Sequence, residues 1–428
     1  MSSSKQKRLA WLICGLGAVF YAYEYLLRIA PSAMEFSLRS HFNLSATGFG
    51  LLSAVYYYAY VPMQLPVGIL MDRFGPRRLL TFACAICVIG TVFFCNTEIV
   101  SVAMVGRFLV GAGSAFAFVG VLKLATLWLP ENKLAMVAGM TSALGTIGAM
   151  VGDNLLGVMI DHVGWVSTIN YMAIIGVVLV FALWFFIKDH QRDSECSGTI
   201  YGFKQSLTDL SIILREKQVW VNGLYGCLVY LPTTVFGELW GIPYLSHAHG
   251  LNQSSAGFAN SLLFFGFMIG APLMGLLSDT LKKRKPPMII GAIGASIMVM
   301  IILYVPDLNE HSIDLCMFVL GLFYSSQTIV FAVGRELSPN EAAGTAIAMT
   351  NMMVMVGALA LQPLIGHLLD WSARLNMSPV LPRVLNEPLQ QIYTAADYQL
   401  AMSVIPVGII IAACLTYFIK ETHAHAPS

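Results

Sequence analysis

Twelve long apolar runs, separated by short polar segments, dominate the chain. They fall at 9–34, 46–71, 78–96, 99–129, 133–160, 166–187, 218–246, 253–279, 287–306, 312–336, 341–369 and 398–419. A helix needs about 20 apolar residues to cross the ~30 Å hydrocarbon core of a bilayer. The pattern therefore predicts an all-α membrane protein with twelve transmembrane helices.

Composition agrees with this prediction and argues against other classes. Hydrophobic residues make up 57% of the 428 residues and charged residues 11%, less than half of the ~25% that is usual in soluble domains. The net charge of +1 gives no general attraction to nucleic acid. The sequence has no Walker-type phosphate loop and no pattern of nucleophile, base or metal ligands. We therefore expect neither an ATP-driven pump nor an enzyme, and no cofactor or metal.

Lysine and arginine are distributed unequally across the predicted membrane. Of the 24, 18 lie on one side, 3 on the other and 3 within spans. Because basic residues accumulate in cytoplasmic loops, both termini are expected in the cytoplasm of a bacterial inner-membrane protein.

A polar segment at 188–217 divides the runs into two sets of six. We predict an N-terminal bundle at 1–187, a cytoplasmic linker and a C-terminal bundle at 218–428. Apolar residues recur in the linker at helical spacing, at Phe203, Leu207, Leu210 and Leu214. The linker is thus either an amphipathic helix on the inner membrane surface or an ordinary connection.

The two halves repeat each other. Three stretches recur at offsets of 207 to 209 residues: GILMDRFGPRR (68–78) as GLLSDTLKKRK (275–285), AGMTSALGTIGA (138–149) as IAMTNMMVMVGA (347–358), and GVMID (157–161) as GHLLD (366–370). This predicts duplication of a six-helix unit, with a central cavity between the halves and alternating access by rocking.

The stretch GILMDRFGPRR resembles the signature loop between spans 2 and 3 of the major facilitator superfamily. The match is carried by Gly68, Asp72, Arg73, Gly75, Arg77 and Arg78. RFLVGAGSA resembles the span-4 motif of the family through Arg107, Gly111 and Gly113. The resemblance covers essentially the whole chain and implies a secondary transporter that functions as a monomer.

The resemblance also implies a cytoplasmic gate. In the family this loop latches the two halves when the cytoplasmic side is closed; the alternative is a basic loop that only sets the topology. The second copy keeps Gly275 and Asp279 but lacks the second glycine, so we expect its latch to be weaker.

Five charged residues lie inside the predicted spans at similar depth. Glu24, Arg107, Asp153 and Glu238 each lie seven to nine residues from the outer end of a span, which is about 10–14 Å at 1.5 Å per residue. Arg28 follows Glu24 by one helical turn on the same face. Since a charge at bilayer depth costs at least ~2.5–3.5 kcal/mol, we expect these side chains to share one polar layer.

Two interpretations of this layer stay open. In the first, Glu24 or Glu238 accepts a proton, and Arg107 or Arg28 adjusts its proton affinity or binds a substrate carboxylate. In the second, the charges form an ion-pair network that only holds the outer halves together. Lys123, in the inner half of span 4, either binds an anionic group or extends to the cytoplasmic surface.

Uncharged polar and aromatic residues are further candidates for the cavity wall. They are Tyr57 and Gln64 on span 2, Tyr324 and Gln327 on span 10, and Asn351 on span 11. Trp240 either caps the cavity or anchors span 7 at the membrane interface.

The leading prediction is proton-driven uptake of a small organic nutrient. The stretches YEYLLRIAPSAM and GRFLVGAGSAFAFVGVLKLA are similar to the phagosomal nutrient transporters of intracellular bacteria, which implies an amino acid or a similar zwitterion or carboxylate. The alternatives are siderophore import and proton-antiport export of a metabolite or drug. Asp153 stands where the span-5 motif of antiporters has a proline, which argues against drug efflux.

Overall fold

The computed structural model describes residues 3–130, 133–188, 214–338, 343–376 and 393–422. The first half contains α1 (Ser3–Ala33), α2 (Glu35–Phe42), α3 (Ala46–Met63), α4 (Pro66–Phe74), α5 (Pro76–Cys95), α6 (Val100–Trp128), α7 (Leu134–Val151), a π-helix (Gly152–Leu156), α8 (Gly157–Val163) and α9 (Trp165–Phe186). The second half contains α10 (Lys217–Val229), a π-helix (Pro232–Trp240), α11 (Gly241–His249), α12 (Gln253–Leu281), α13 (Lys285–Tyr304), α14 (Glu310–Tyr324), a 3₁₀-helix (Ser325–Thr328), α15 (Ile329–Glu336), α16 (Ala343–Asn376), α17 (Ala395–Met402) and α18 (Val404–Leu415). The predicted linker helix falls almost entirely outside these residues.

Within the described ranges, eleven helices are long and apolar enough to cross a membrane. The remaining predicted span is divided into α3 and α4 at the residues before Pro66, because proline has no N–H to continue the helical hydrogen bonds. The fifth, seventh and tenth spans, predicted as continuous helices, contain π or 3₁₀ segments instead. The chain is an integral multi-pass membrane protein with the predicted all-α fold.

Packing divides the described helices into two bundles with several contacts between them. In the first bundle α5 packs on α6 and α9, and α1 packs on α7. Between the bundles α3 packs on α16, α7 on α12, and α1 on the π-helix of the seventh span. The repeat relates span 2 to span 8 and span 5 to span 11. The contact of span 2 (α3) with span 11 (α16) is therefore the counterpart of the contact of span 8 (α12) with span 5 (α7), as expected for two duplicated halves that face each other.

The two ends of the molecule differ in how closely the bundles approach. We call the end that holds Gly75 and Lys282 the motif end, and the opposite end the distal end. At the distal end, a Cβ added to Gly50 would lie 2.5 Å from the Gln362 carbonyl oxygen, and one added to Gly366 would collide with the Ala46 carbonyl.

At the motif end four glycines make no such contact. Nothing lies within 4 Å of a Cβ added to Gly68, Gly139, Gly275 or Gly344. The bundles are therefore closed against each other at the distal end, and these four glycine positions make no close contact at the motif end.

The two signature loops make contacts within their own bundles in this conformation. Arg77 Nε donates to the Trp184 carbonyl at 3.0 Å, and Arg73 and Arg78 are exposed. The side chain of Asp72 lies outside what the structure describes. In the second copy Arg284 bonds Asp279 at 2.8 Å and Glu336 at 2.6 Å. The latch between the bundles stays a prediction for the state in which the motif end is closed.

Candidate functional site

Arg28 lies between two carboxylates that belong to different bundles. Its Nη2 is 3.0 Å from Glu24 Oε1 and 3.2 Å from Glu24 Oε2, one turn away on α1. Its Nη1 is 3.7 Å from Oε1 of Glu238, in the π-helix of the seventh span. All three residues are at most 2% exposed. One guanidinium thus holds a short contact within its own bundle and a longer one across the interface.

Two adjacent tyrosines of α3 donate hydrogen bonds, each to a different one of the two carboxylates. Tyr56 accepts a hydrogen bond from Arg28 Nε at 3.1 Å and donates to Glu24 Oε2 at 2.9 Å. Tyr57 donates to Glu238 Oε2. Successive helical residues point about 100° apart, so neighbouring side chains on one helix can reach different bundles.

Aromatic rings surround the Arg28 guanidinium. Its carbon lies 4.4 Å from the ring centre of Tyr25, 4.9 Å from that of Tyr60 and 5.5 Å from that of Tyr56. Such cation–π contacts are worth ~0.5–2 kcal/mol or more when desolvated. They help to offset the cost of removing the guanidinium from water.

Arg107 hydrogen-bonds the backbone of α1 and pairs with no carboxylate of the described residues. Its Nη1 donates to the Leu27 carbonyl at 2.9 Å and its Nη2 to the Arg28 carbonyl at 3.3 Å. Its guanidinium carbon lies 5.2 Å from the ring centre of Tyr56. Arg107 therefore positions the segment of α1 that carries Arg28 and approaches the charged pair through the backbone.

Asp153 lies at a separate point of the interface. Asn260 Nδ2, on α12, donates to Asp153 Oδ2 at 2.7 Å and to the Gly237 carbonyl at 2.8 Å. Asp153 is 2% exposed, and its Oδ1 has no hydrogen-bond partner. The sequence depth count placed Asp153 beside the other charges, but its direct partner is an amide of the opposite bundle.

Trp240 is fully buried where the bundles close. Its indole N–H donates to the Gln362 carbonyl at 3.1 Å, and its ring meets Phe49 edge-on with centres 5.4 Å apart. The alternative of an interfacial anchor is wrong, because the indole N–H is satisfied inside the protein and does not reach the membrane surface.

The other candidates lie at the interface between the bundles or inside one of them. Asn351 donates to Gln64 Oε1 at 2.9 Å, which joins α16 to the second span. Tyr324 accepts from Thr233 at 2.8 Å, and the neighbouring Gln327 is buried. Lys123 is half-buried on α6, in the first bundle, and its two alternative roles stay predictions.

Sequence reasoning missed several partners of the charged layer. Tyr56 was visible only as one of several tyrosines on the second span, and Asn260 carried no signal. Tyr25 precedes Arg28 by three residues, and this spacing places two side chains on one helix face. That spacing could have identified the ring beneath the guanidinium.

The numbers of acidic and basic side chains in the charged layer determine which ions it can bind. One base faces two acids in the cluster of Glu24, Arg28 and Glu238, so a proton on either acid leaves one balanced pair. Among the described residues there is no group of three or more histidine, cysteine or acidic side chains suited to a metal. The cluster is suited to binding and releasing a proton at a contact that joins the two bundles.

Two six-helix bundles that enclose such a charged layer and close against each other at one end define a membrane transporter and not an enzyme. The chain belongs to the Major Facilitator Superfamily, whose family model matches residues 12–362.

Comparison with known proteins agrees with this assignment. The chain is 24% identical over 287 residues to the probable sulfoacetate transporter SauU of Cupriavidus necator, a match that covers 64% of this chain and 66% of that protein. It is 22% identical to the probable galactarate/D-glucarate transporter GudP of Escherichia coli, over 88% of this chain and 91% of that one. A bacterial homologue of the human lysosomal transporter Spinster, solved in an inward-facing, unoccupied conformation, superimposes with a TM-score of 0.73 at 15% identity and covers 96% of this chain and 97% of that one. These similarities confirm the fold of two six-helix bundles.

Proposed function

We propose that this transporter imports a small organic nutrient that bears a carboxylate, such as an amino acid or a related organic acid, together with a proton. The observation that carries the proposal is the Arg28 guanidinium shared by Glu24 and Glu238 across the bundle interface. SauU and GudP are named for sulfoacetate and for galactarate or D-glucarate, which are small organic anions. In this proposal the motif end faces the cytoplasm.

Glu238 is the proposed proton acceptor. Glu24 is held by two short contacts from Arg28 and a hydrogen bond from Tyr56, whereas Glu238 meets Arg28 at 3.7 Å. A proton on Glu238 removes its attraction for Arg28, which frees one edge of the guanidinium. A substrate carboxylate then binds that edge through a charge-assisted hydrogen bond.

Alternating access follows because Arg28 exchanges Glu238 for the substrate carboxylate at the place where the two bundles meet. The Arg28–Glu238 contact joins the two bundles, so its formation and loss change the stability of the closed distal end. Substrate binds with the proton because a substrate carboxylate added to the unprotonated cluster would place three buried negative charges against one base.

Uptake into proteoliposomes tests the proposal. With an inward proton gradient, we expect a member of a panel of amino acids and small organic acids to accumulate, and a protonophore to collapse the accumulation. Glu238→Gln is expected to abolish gradient-driven accumulation and to keep exchange of internal for external substrate. Glu310→Gln, a change of an exposed acid, is the matched control.

Two outcomes would contradict the proposal. Normal accumulation by the Glu238→Gln variant would remove Glu238 from coupling. Proton-driven loss of an internally loaded substrate would instead indicate an antiport exporter.

A further inference from the structure

Asp153 is enclosed in the distal contact between the bundles. It lies in the π-helix Gly152–Leu156, an irregularity that is frequent at functional sites. Asn260 of the opposite bundle donates to its Oδ2 at 2.7 Å, and its Oδ1 is buried without a partner. A Cβ on Gly257 would collide with the Asp153 carbonyl oxygen. The carboxyl is therefore reachable from water only if α7 and α12 separate.

Among the residues that the structure describes, no base pairs with this carboxyl. The elements packed around it bring Glu24 and Arg28 from α1, Glu238 from the seventh span and Asn260 from α12. Arg28 is occupied by the two glutamates, and in the described part of the chain Asp153 has no salt-bridge partner. On its own span, Asp161 and His162 are exposed at the distal end. A buried carboxylate without a cation is costly, whereas a neutral carboxylic acid is far less so.

The sequence repeat supplies an independent comparison. The offset of 209 residues that relates 157–161 to 366–370 also aligns Asp153 with Gln362. Gln362 is fully buried, its carbonyl meets Gly50 of the opposite bundle, and its Nε2 donates to the Thr234 carbonyl at 2.7 Å. The same place in the second half of the molecule thus closes around an uncharged side chain.

We propose that Asp153 is a gating proton site, which binds a proton while the distal end is open and must be neutral for α7 and α12 to close. This proton returns to the distal side when the end reopens and is distinct from the proton carried with substrate on Glu238. The inference rests on the alternating access of the proposed function but not on its substrate or on Glu238.

The linkage has a defined sign. Because the closed state holds one more proton than the open state, a fall in pH favours closure. One linked proton changes the ratio of closed to open molecules by at most about tenfold per pH unit.

The experiment measures distances across the distal end without substrate. Spin labels are placed by Ile99→Cys and Tyr304→Cys, at exposed positions on opposite bundles, after replacement of the eight native cysteines. Double electron–electron resonance in nanodiscs follows the long-distance, open population between about pH 5 and about pH 9. Because protonation of Glu238 breaks its contact with Arg28 and would favour opening, the parent protein of this measurement also carries Glu238→Gln. We expect the open population to grow with pH in this parent.

Asp153→Asn supplies the decisive comparison, since it is neutral at every pH and copies the amide of Gln362. In this variant we expect opening of the distal end to release one proton fewer, so that the open population depends less on pH. We also expect the distal end to stay closed. Asp161→Asn, on the same span but exposed, should behave as the parent. Asp153→Ser serves as a second neutral variant if the asparagine protein does not fold.

Three results would overturn the inference. They are a distance distribution that does not change with pH in the parent, an unchanged pH dependence in both neutral variants, and a shift driven by sodium at constant pH. A failure of the uptake experiment leaves this measurement intact, because no substrate is used.

Discussion

The carboxylate of Asp370, at the distal end of α16, caps the first turn of α3 in the opposite bundle. It accepts the Thr47 N–H at 2.9 Å, the Thr47 hydroxyl at 2.5 Å and the Ala46 N–H at 3.2 Å. Tyr393 adds a hydrogen bond to Asp370 at 2.6 Å. A negative charge at a helix N-terminus is doubly favourable, since it meets free N–H groups and the positive end of the helix dipole. This contact must break whenever the distal end opens.

Replacing Asp370 with alanine should therefore favour the open distal end. Loss of a helix cap typically costs ~1–2 kcal/mol, which corresponds to about a 5- to 30-fold change in the ratio of states. The distal spin-label pair measures this ratio. Asp161→Ala is the control, because Asp161 is the repeat counterpart of Asp370 and is exposed. An unchanged distance distribution in the Asp370 variant would show that the cap does not contribute to closure.

Arg28→Lys should destabilise the protein although it keeps the charge. Lysine cannot reproduce the planar fork that reaches Glu24, Tyr56 and Glu238 at once, and it stacks less well on the surrounding tyrosines. We expect a loss of ~1–3 kcal/mol, measured as a lower midpoint of thermal unfolding in detergent. Arg374→Lys, at an exposed position, should leave the midpoint unchanged; equal effects of the two changes would contradict the packing argument.

Gly148→Ala should destabilise the first bundle. A Cβ at this position would collide with the Ala22 carbonyl oxygen of α1, and overpacking of this kind costs ~1–3 kcal/mol. Gly139→Ala, on the same helix with nothing within 4 Å, should be neutral or slightly stabilising because alanine favours helix. Thermal unfolding of the two variants separates packing from helix propensity, and a neutral Gly148 variant would contradict the predicted close approach.

The two signature loops should differ in their need for glycine. Gly75 has φ 78° and ψ 151°, a conformation almost confined to glycine, and Gly75→Ala should cost ~1–3 kcal/mol. Lys282, its repeat counterpart, has φ 50° and ψ 33°, the left-handed region that other residues can adopt at ~1–2 kcal/mol. Lys282→Gly should change the unfolding midpoint little, since relief of strain is offset by the entropy of glycine. A large gain from Lys282→Gly would contradict this balance.

Acid should weaken the ion pair at Glu35, on the short helix α2. Burial alone would raise the pKa of Glu35, but the neighbouring His247 imidazole and the Arg39 guanidinium outweigh it, so the pKa lies below its usual value of 4.5. A lowered folded-state pKa means that the stabilisation is complete above the unfolded-state value and is lost as the pH falls through the folded-state value.

The thermal midpoint of the parent should therefore exceed that of Glu35→Gln near neutral pH, and the difference should shrink below about pH 4.5. Glu310→Gln, an exposed acid at the same end, is the control. A difference that grows on acidification would reverse the sign of the argument.

The twelve spans and the two bundles could be predicted from the sequence alone. Crossing a bilayer requires local runs of apolar residues, and a duplication is visible as repeated letters at a constant offset. Depth could also be counted along each helix, so the charged residues Glu24, Arg28, Arg107 and Glu238 were recognised as one layer. Span and depth are local to single helices, and a duplication is found by comparing letters, so none of these properties depends on how the helices pack.

Tertiary structure decided which of these side chains meet, because contact depends on helix rotation and on how the bundles pack. Tyr56 and Tyr57 are adjacent in sequence but donate hydrogen bonds to different carboxylates. Arg107 shares the depth of Glu24 but faces backbone carbonyls, and Asp153 meets Asn260 and no base. The pairing of Arg28 with an acid 210 residues away exists only where two bundles close, and no periodicity along the chain encodes that closure.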